Sequence, residues 1–73
     1  MPFVNIRTAK GLLNDKQKRQ LHSRITELLV EVEGRGHPDF SEYVVVLIEE
    51  HDPGNWSFHG EPVTKEALES ALG

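Results

Sequence analysis

The residue with the most unusual chemistry in this chain stands second. Pro2 follows Met1, and a small residue there predicts removal of the methionine, which leaves a secondary amine at the start of the chain. Proline alone supplies such an amine, and its ring holds the nitrogen lone pair in a fixed direction. A free α-amino group titrates at about 7.7–8.0, and an apolar, desolvated pocket lowers that by disfavouring the charged form. An amine that is neutral near pH 7 is a competent general base. The four histidines, His22, His37, His51 and His59, form no close i, i+4 pair on a helix, so no metal site is expected from them. There is no glycine-rich phosphate loop, no nucleophile elbow and no cysteine, which removes disulfides and thiolate zinc from consideration.

The elements that must position Pro2 are legible in the pattern. Residues 3–9 alternate, with Val4, Ile6 and Thr8 on one side and Phe3, Asn5 and Arg7 on the other, as a strand with one buried face does. Lys10-Gly11 ends it. Asn14-Asp15-Lys16-Gln17 then offers a helix cap with a glutamine three positions on, a variant of the capping box. Leu21, Ile25, Leu28, Leu29 and Val32 follow as one apolar stripe of a helix of about 19 residues. Lys16, Lys18, Arg19, Arg24, Glu27 and Glu31 are assigned to its solvated face. Gly34, Gly36 and Pro38 stop it. Tyr43 to Ile48 is an unbroken apolar run, here read as an eight-residue strand from Tyr43 covered on both faces. His51 to Asn55 is turn chemistry, Trp56 to Glu61 an irregular or hairpin segment, and Lys65 to Leu72 a short C-terminal helix.

Strand, helix, strand at this spacing predicts an α/β fold, a β-α-β unit with parallel strands and a right-handed crossover. The chain reads as one domain over residues 1–73. A chain of 73 residues buries only about 60% of the surface its unfolded form exposes, and a two-stranded sheet is not stable alone. At least two copies should join. Twelve acidic against eight basic side chains weigh against nucleic acid or an anionic membrane as partner. No apolar run approaches the roughly 18 residues of a membrane span, and the N-terminal stretch lacks the pattern of a secretory signal, so a cytoplasmic location is expected.

The opening Pro2-Phe3-Val4-Asn5-Ile6, the Gly11…Asp15-Lys16-Gln17-Lys18 turn into the long helix, the strand ending Ile48-Glu49-Glu50, and Asn55-Trp56…Gly60-Glu61 together resemble the 4-oxalocrotonate tautomerase family. The likeness runs in order along nearly the whole chain. It implies protomers paired into a four-stranded sheet with two helices, and either a dimer or a trimer of dimers. It also implies cofactor-independent proton transfer in a small enol or unsaturated keto acid, with Pro2 as the catalytic base. Trp56 takes the place of the family's pocket aromatic. Phe3, Ala9 and Phe58 fall where the pocket is lined, and Tyr43 lies near a further pocket position.

Two departures bear on substrate. Where the family's archetype has an arginine after the first-turn glycine, this chain has Leu12-Leu13, and where it has one inside the second strand, this chain has Val45. Those arginines hold the substrate carboxylate and polarise the carbonyl, so a dicarboxylate handled in that way is not expected here. Arg7, Lys10, Arg35 and His51 are the candidate replacements. The alternatives to a tautomerase are a catalytically silent, oligomeric binding protein of the same fold, and a decarboxylase or dehalogenase relative. With Met1 retained, the proline nitrogen would be an amide with no basic lone pair.

Strand geometry adds one expectation of its own. Pro2 opens the first strand and Trp56 follows the second, so in one chain they stand roughly 25 Å apart by strand rise. The five loop residues 51–55 reach at most about 18 Å. The two can share a pocket only across an antiparallel pair of protomers.

Overall fold

A computed structural model describes residues 1–72. Strand β1 (Phe3–Ala9) runs parallel to β2 (Val45–His51), in register from Phe3 opposite Val45 to Ala9 opposite His51. Helix α1 (Asp15–Val32) makes the crossover between them. The main-chain N–H of Lys10 donates to the His51 carbonyl at 2.7 Å, extending the ladder one step beyond the strands.

Both ends of α1 are set by local chemistry. Asn14 accepts from the Gln17 main-chain N–H at 2.8 Å, and the Gln17 side chain accepts from the Asn14 N–H at 2.9 Å. This reciprocal capping box satisfies two donors the helix cannot. At the other end the chain leaves the helix through Arg35 and Gly36, both left-handed.

Next comes a short 3-10 segment, Pro38–Tyr43, where the sequence reading starts the second strand. Tyr43 closes this turn, and β2 begins at Val45 and ends at His51, a shift of the expected strand toward its C-terminal end. The reason is packing. Phe40 sits directly against Gly34, close enough that a Cβ there would collide with it, and Tyr43 meets Phe40 at a ring-centroid distance of 6.2 Å.

After β2, a turn at Pro53–Asn55 leads to a small hairpin of β3 (Ser57–Phe58) and β4 (Glu61–Pro62), then α2 (Lys65–Leu72). His59 and Gly60, at φ 54° and 83°, form the two-residue loop. Positive φ at both positions matches the right-handed twist of the flanking strands, and glycine takes the second without strain. The Thr64 hydroxyl accepts from the Ala67 N–H at 3.1 Å and caps α2.

The two faces of the sheet differ. Val4, Ile6 and Thr8 with Val46, Ile48 and Glu50 face α1 and are half-buried; Lys18 on α1 pairs with Glu50 across this layer. Lys18 therefore lies on the inner edge of the helix rather than on the solvated face assigned to it, and the Glu50 hydrogen bond raises its pKa above the usual lysine value. The opposite face carries Phe3, Asn5 and Arg7 with Val45, Leu47 and Glu49. Here Phe3, Val45 and Leu47 are exposed, as are Leu28 and Val32 on α1. The apolar run read as covered on both faces is covered on one side only within the chain.

Among the described residues Ala9, 8% exposed, is the only buried hydrophobic residue, and no large side chain is fully buried. The radius of gyration is 15.4 Å, against about 11 Å for a compact chain of this length. The exposed area of 5812 Å² is about a quarter above that of a compact monomer of equal mass.

Candidate active site

An open cleft of about 210 Å³ lies at the carboxyl ends of β1 and β2, lined by Arg7, Thr8, Ala9, Leu12, Trp56, Phe58, Val63 and Leu68. It exists because the C-terminal third of the chain folds back. The Val63 N–H donates to the Trp56 carbonyl at 2.9 Å, which returns the hairpin alongside Trp56 and brings α2, with Leu68, over the end of β1. The cover is what buries Ala9 on an otherwise open face.

Of the residues expected to form the pocket, Ala9, Trp56 and Phe58 meet here. Pro2, Phe3 and Tyr43 do not. They sit at the opposite end of the strands, where the Val45 N–H donates to the Pro2 carbonyl at 3.1 Å. Six strand steps separate Phe3 from Ala9, roughly 20 Å. The residues expected to form one pocket thus lie in two groups at opposite ends of the strands. Leu12 lies where the resemblance puts the archetype's substrate-holding arginine, whereas Val63 and Leu68 were not expected in the pocket. The i, i+4 spacing of Leu68 and Leu72 signalled an apolar helix face, but nothing local showed where that face would lie.

One polar cluster borders the cleft. Glu49 Oε1 accepts from Asn5 Nδ2 at 2.7 Å, while Oε2 lies 3.6 Å from Arg7 Nε and 3.5 Å from His51 Nε2. The Asn5 hydrogen bond is the main cause that holds the Glu49 carboxyl below its usual range; desolvation is the next largest effect and opposes it, and His51 and Arg7 add lesser contributions in the lowering direction. His51 in turn meets the edge of Trp56 at 6.4 Å between ring centroids. The Trp56 indole nitrogen is shielded from solvent and has no hydrogen-bond partner among the described residues. Buried donors are nearly always satisfied, which makes this one an exception. Among the replacements considered for the missing arginines, Arg7 reaches the cleft wall, His51 stands behind Trp56, and Arg35 lies at the far end of α1. Among the described residues no cluster of three or more His, Asp or Glu is placed to hold a metal ion, and no helix is long and apolar enough to cross a membrane.

A family model described as "Tautomerase enzyme" matches residues 2–66. The chain belongs to the tautomerase family. Among its relatives, the probable tautomerase K2 of Dickeya dadantii is 38% identical over 71 residues, covering 97% of this chain and 100% of that protein. The crystal structure of YwhB, a homologue of 4-oxalocrotonate tautomerase, superimposes with a TM-score of 0.69 at 31% identity, over 84% of this chain and 92% of that one. A structure from a study of trans-3-chloroacrylic acid dehalogenase activity matches at a TM-score of 0.66 and 28% identity, over 86% of this chain and 100% of that one. The β-α-β layout of this chain is therefore the 4-oxalocrotonate tautomerase fold, and the family contains dehalogenases beside its tautomerases.

Proposed function

We propose that this tautomerase converts the enol of a small keto acid to its keto form without a cofactor, using the imino nitrogen of a chain that begins at Pro2. The neutral nitrogen takes the enol hydroxyl proton. The oxygen's electron pair closes the carbonyl, and the C=C pair takes a proton at carbon from the prolinium so formed, which regenerates the free amine. The base needs an apolar setting to stay neutral, and the observation that carries the reading is where that setting lies. The apolar cleft with Trp56, Phe58 and Ala9 stands at one end of the strands and Pro2 at the other.

A second protomer running antiparallel brings its strand-terminal cleft to the first protomer's Pro2 and completes two equal sites about a two-fold axis. The exposed Phe3, Val45 and Leu47, the near absence of a buried core and the excess surface area all favour such self-association. The deciding experiment follows the ketonisation of enolic phenylpyruvate by methionine-free protein and by Pro2→Ala. Turnover that disappears in the variant supports the reading; turnover that survives overturns it.

The second reading, a silent binding protein of this fold, is favoured by the leucines and valine at 12, 13 and 45, where the archetype carries arginine. It predicts ligand binding in the cleft with no turnover across a panel of enols, unsaturated keto acids and 3-chloroacrylates. A native chain that keeps Met1 would point the same way.

A further inference from the structure

We propose that Arg7 is the anion-binding residue of this cleft, and that the cleft takes a small single-ring monocarboxylic acid, its ring among Leu12, Trp56, Phe58, Val63 and Leu68 and its carboxylate on the guanidinium. Among the described residues, Arg7 is the only charged side chain in the lining, so one anionic group can be matched there and a second would lie against hydrocarbon, which is costly.

The geometry of the guanidinium supports the assignment. Glu49 touches Arg7 at Nε, the side of the fork. The two terminal nitrogens make no hydrogen bond among the described residues, which leaves the end-on edge open for a bidentate carboxylate. Glu49 is itself held by Asn5 and His51, so the arginine is tethered at one edge and presented at the other. Size agrees with the ligand class. A cavity of about 150 Å³ holds benzene, and this one, at about 210 Å³, has room for a ring with a short acid arm. It is smaller than the roughly 300 Å³ at which drug-sized pockets begin.

The inference draws from the proposed function only that the cleft binds a small acid, and a binding measurement keeps the two apart. Trp56 is the only tryptophan and lies in the cleft, so its fluorescence reports on this site alone. The full chain is titrated with 3-phenylpropanoate and with 3-phenylpropanamide, which differ only in the charged group. The acid should bind more tightly than the amide. Arg7→Ala should weaken the acid by about tenfold or more and leave the amide unchanged, while Arg7→Lys, a point charge without the fork, should retain part of the preference.

An acid preference that survives Arg7→Ala overturns the proposal. So does an equal loss of both probes in Arg7→Ala and Arg7→Lys, which marks a structural role, and so does failure of the unaltered chain to bind the acid. Acid binding that depends on Arg7, in a protein that turns over no enol, sustains this assignment while the proposed function fails. Turnover that depends on Pro2, with an acid preference indifferent to Arg7, does the reverse.

Discussion

Replacing Gly34 with alanine tests how the end of the molecule that carries Pro2 is built. A Cβ at this position would lie 2.6, 2.7 and 2.8 Å from Cγ, Cβ and Cδ2 of Phe40, against roughly 3.5–4.0 Å for an unstrained carbon contact. One of the colliding atoms is the Phe40 Cβ, so rotating the ring cannot relieve the clash. The Pro38–Tyr43 turn must move by close to an ångström, and with it Tyr43 and the entry to β2, whose Val45 N–H anchors the Pro2 carbonyl. Overpacking of this kind costs about 1–3 kcal/mol. The loss of backbone freedom in the unfolded chain returns about 0.4–1 kcal/mol, so the net destabilisation should be about 1–2 kcal/mol. At 4–8 °C per kcal/mol for a chain of this size, that is a fall of roughly 5–15 °C in Tm. Gly54 is the control, since a Cβ there meets nothing within 4 Å, and Gly54→Ala should be neutral or slightly stabilising. The assay is thermal unfolding followed by circular dichroism at one fixed protomer concentration, because the proposed self-association would make Tm depend on concentration. Adding Phe40→Gly, which removes the colliding Cβ together with the ring, should remove most of the penalty of Gly34→Ala in a double-mutant cycle. A Gly34→Ala protein as stable as Gly54→Ala would refute the packing argument.

Two further outcomes are expected. Mixing inactive Pro2→Ala with inactive Trp56→Ala and allowing protomers to exchange should restore up to about a quarter of the original activity, since half of random dimers are mixed and each then holds one intact site of two; no recovery after demonstrated exchange would contradict the shared pocket. Glu49 titrates lower in the folded chain than its usual 4.5, so its contribution to stability is complete above that value and is lost as pH falls through the lower folded one. The fall in Tm on acidification below 4.5 should be shallower in Asn5→Ala, which lacks the main cause of the shift, and an unaltered slope counts against that cause.

Local chemistry made much of the fold readable in advance. The alternation of residues 3–9, the Asn14–Gln17 cap and the helix that carries Leu21 to Val32 depend on contacts no more than a few residues long, and each lies where the pattern put it, although Leu28 and Val32 of the apolar stripe stay exposed. The second strand was misplaced at its start because its boundary is not local: Phe40 closing on Gly34 turns Pro38–Tyr43 into a 3-10 segment, and this packing overrides the β-propensity of Tyr43 and Val44. Lys18 reads as one more solvated charge until Glu50 arrives from β2 beneath it.

The chemistry-bearing residue types, the parallel β-α-β order and the opposite placement of Pro2 and Trp56 were determined by the sequence alone, because period, cap and strand rise are properties of the chain. Only the tertiary structure decided which side chains share a cleft. Arg7, Leu12, Val63 and Leu68 come together there because the His59-Gly60 turn and the Val63–Trp56 hydrogen bond carry α2 back over β1. That closure joins residues some sixty positions apart, and no spacing within the sequence encodes it.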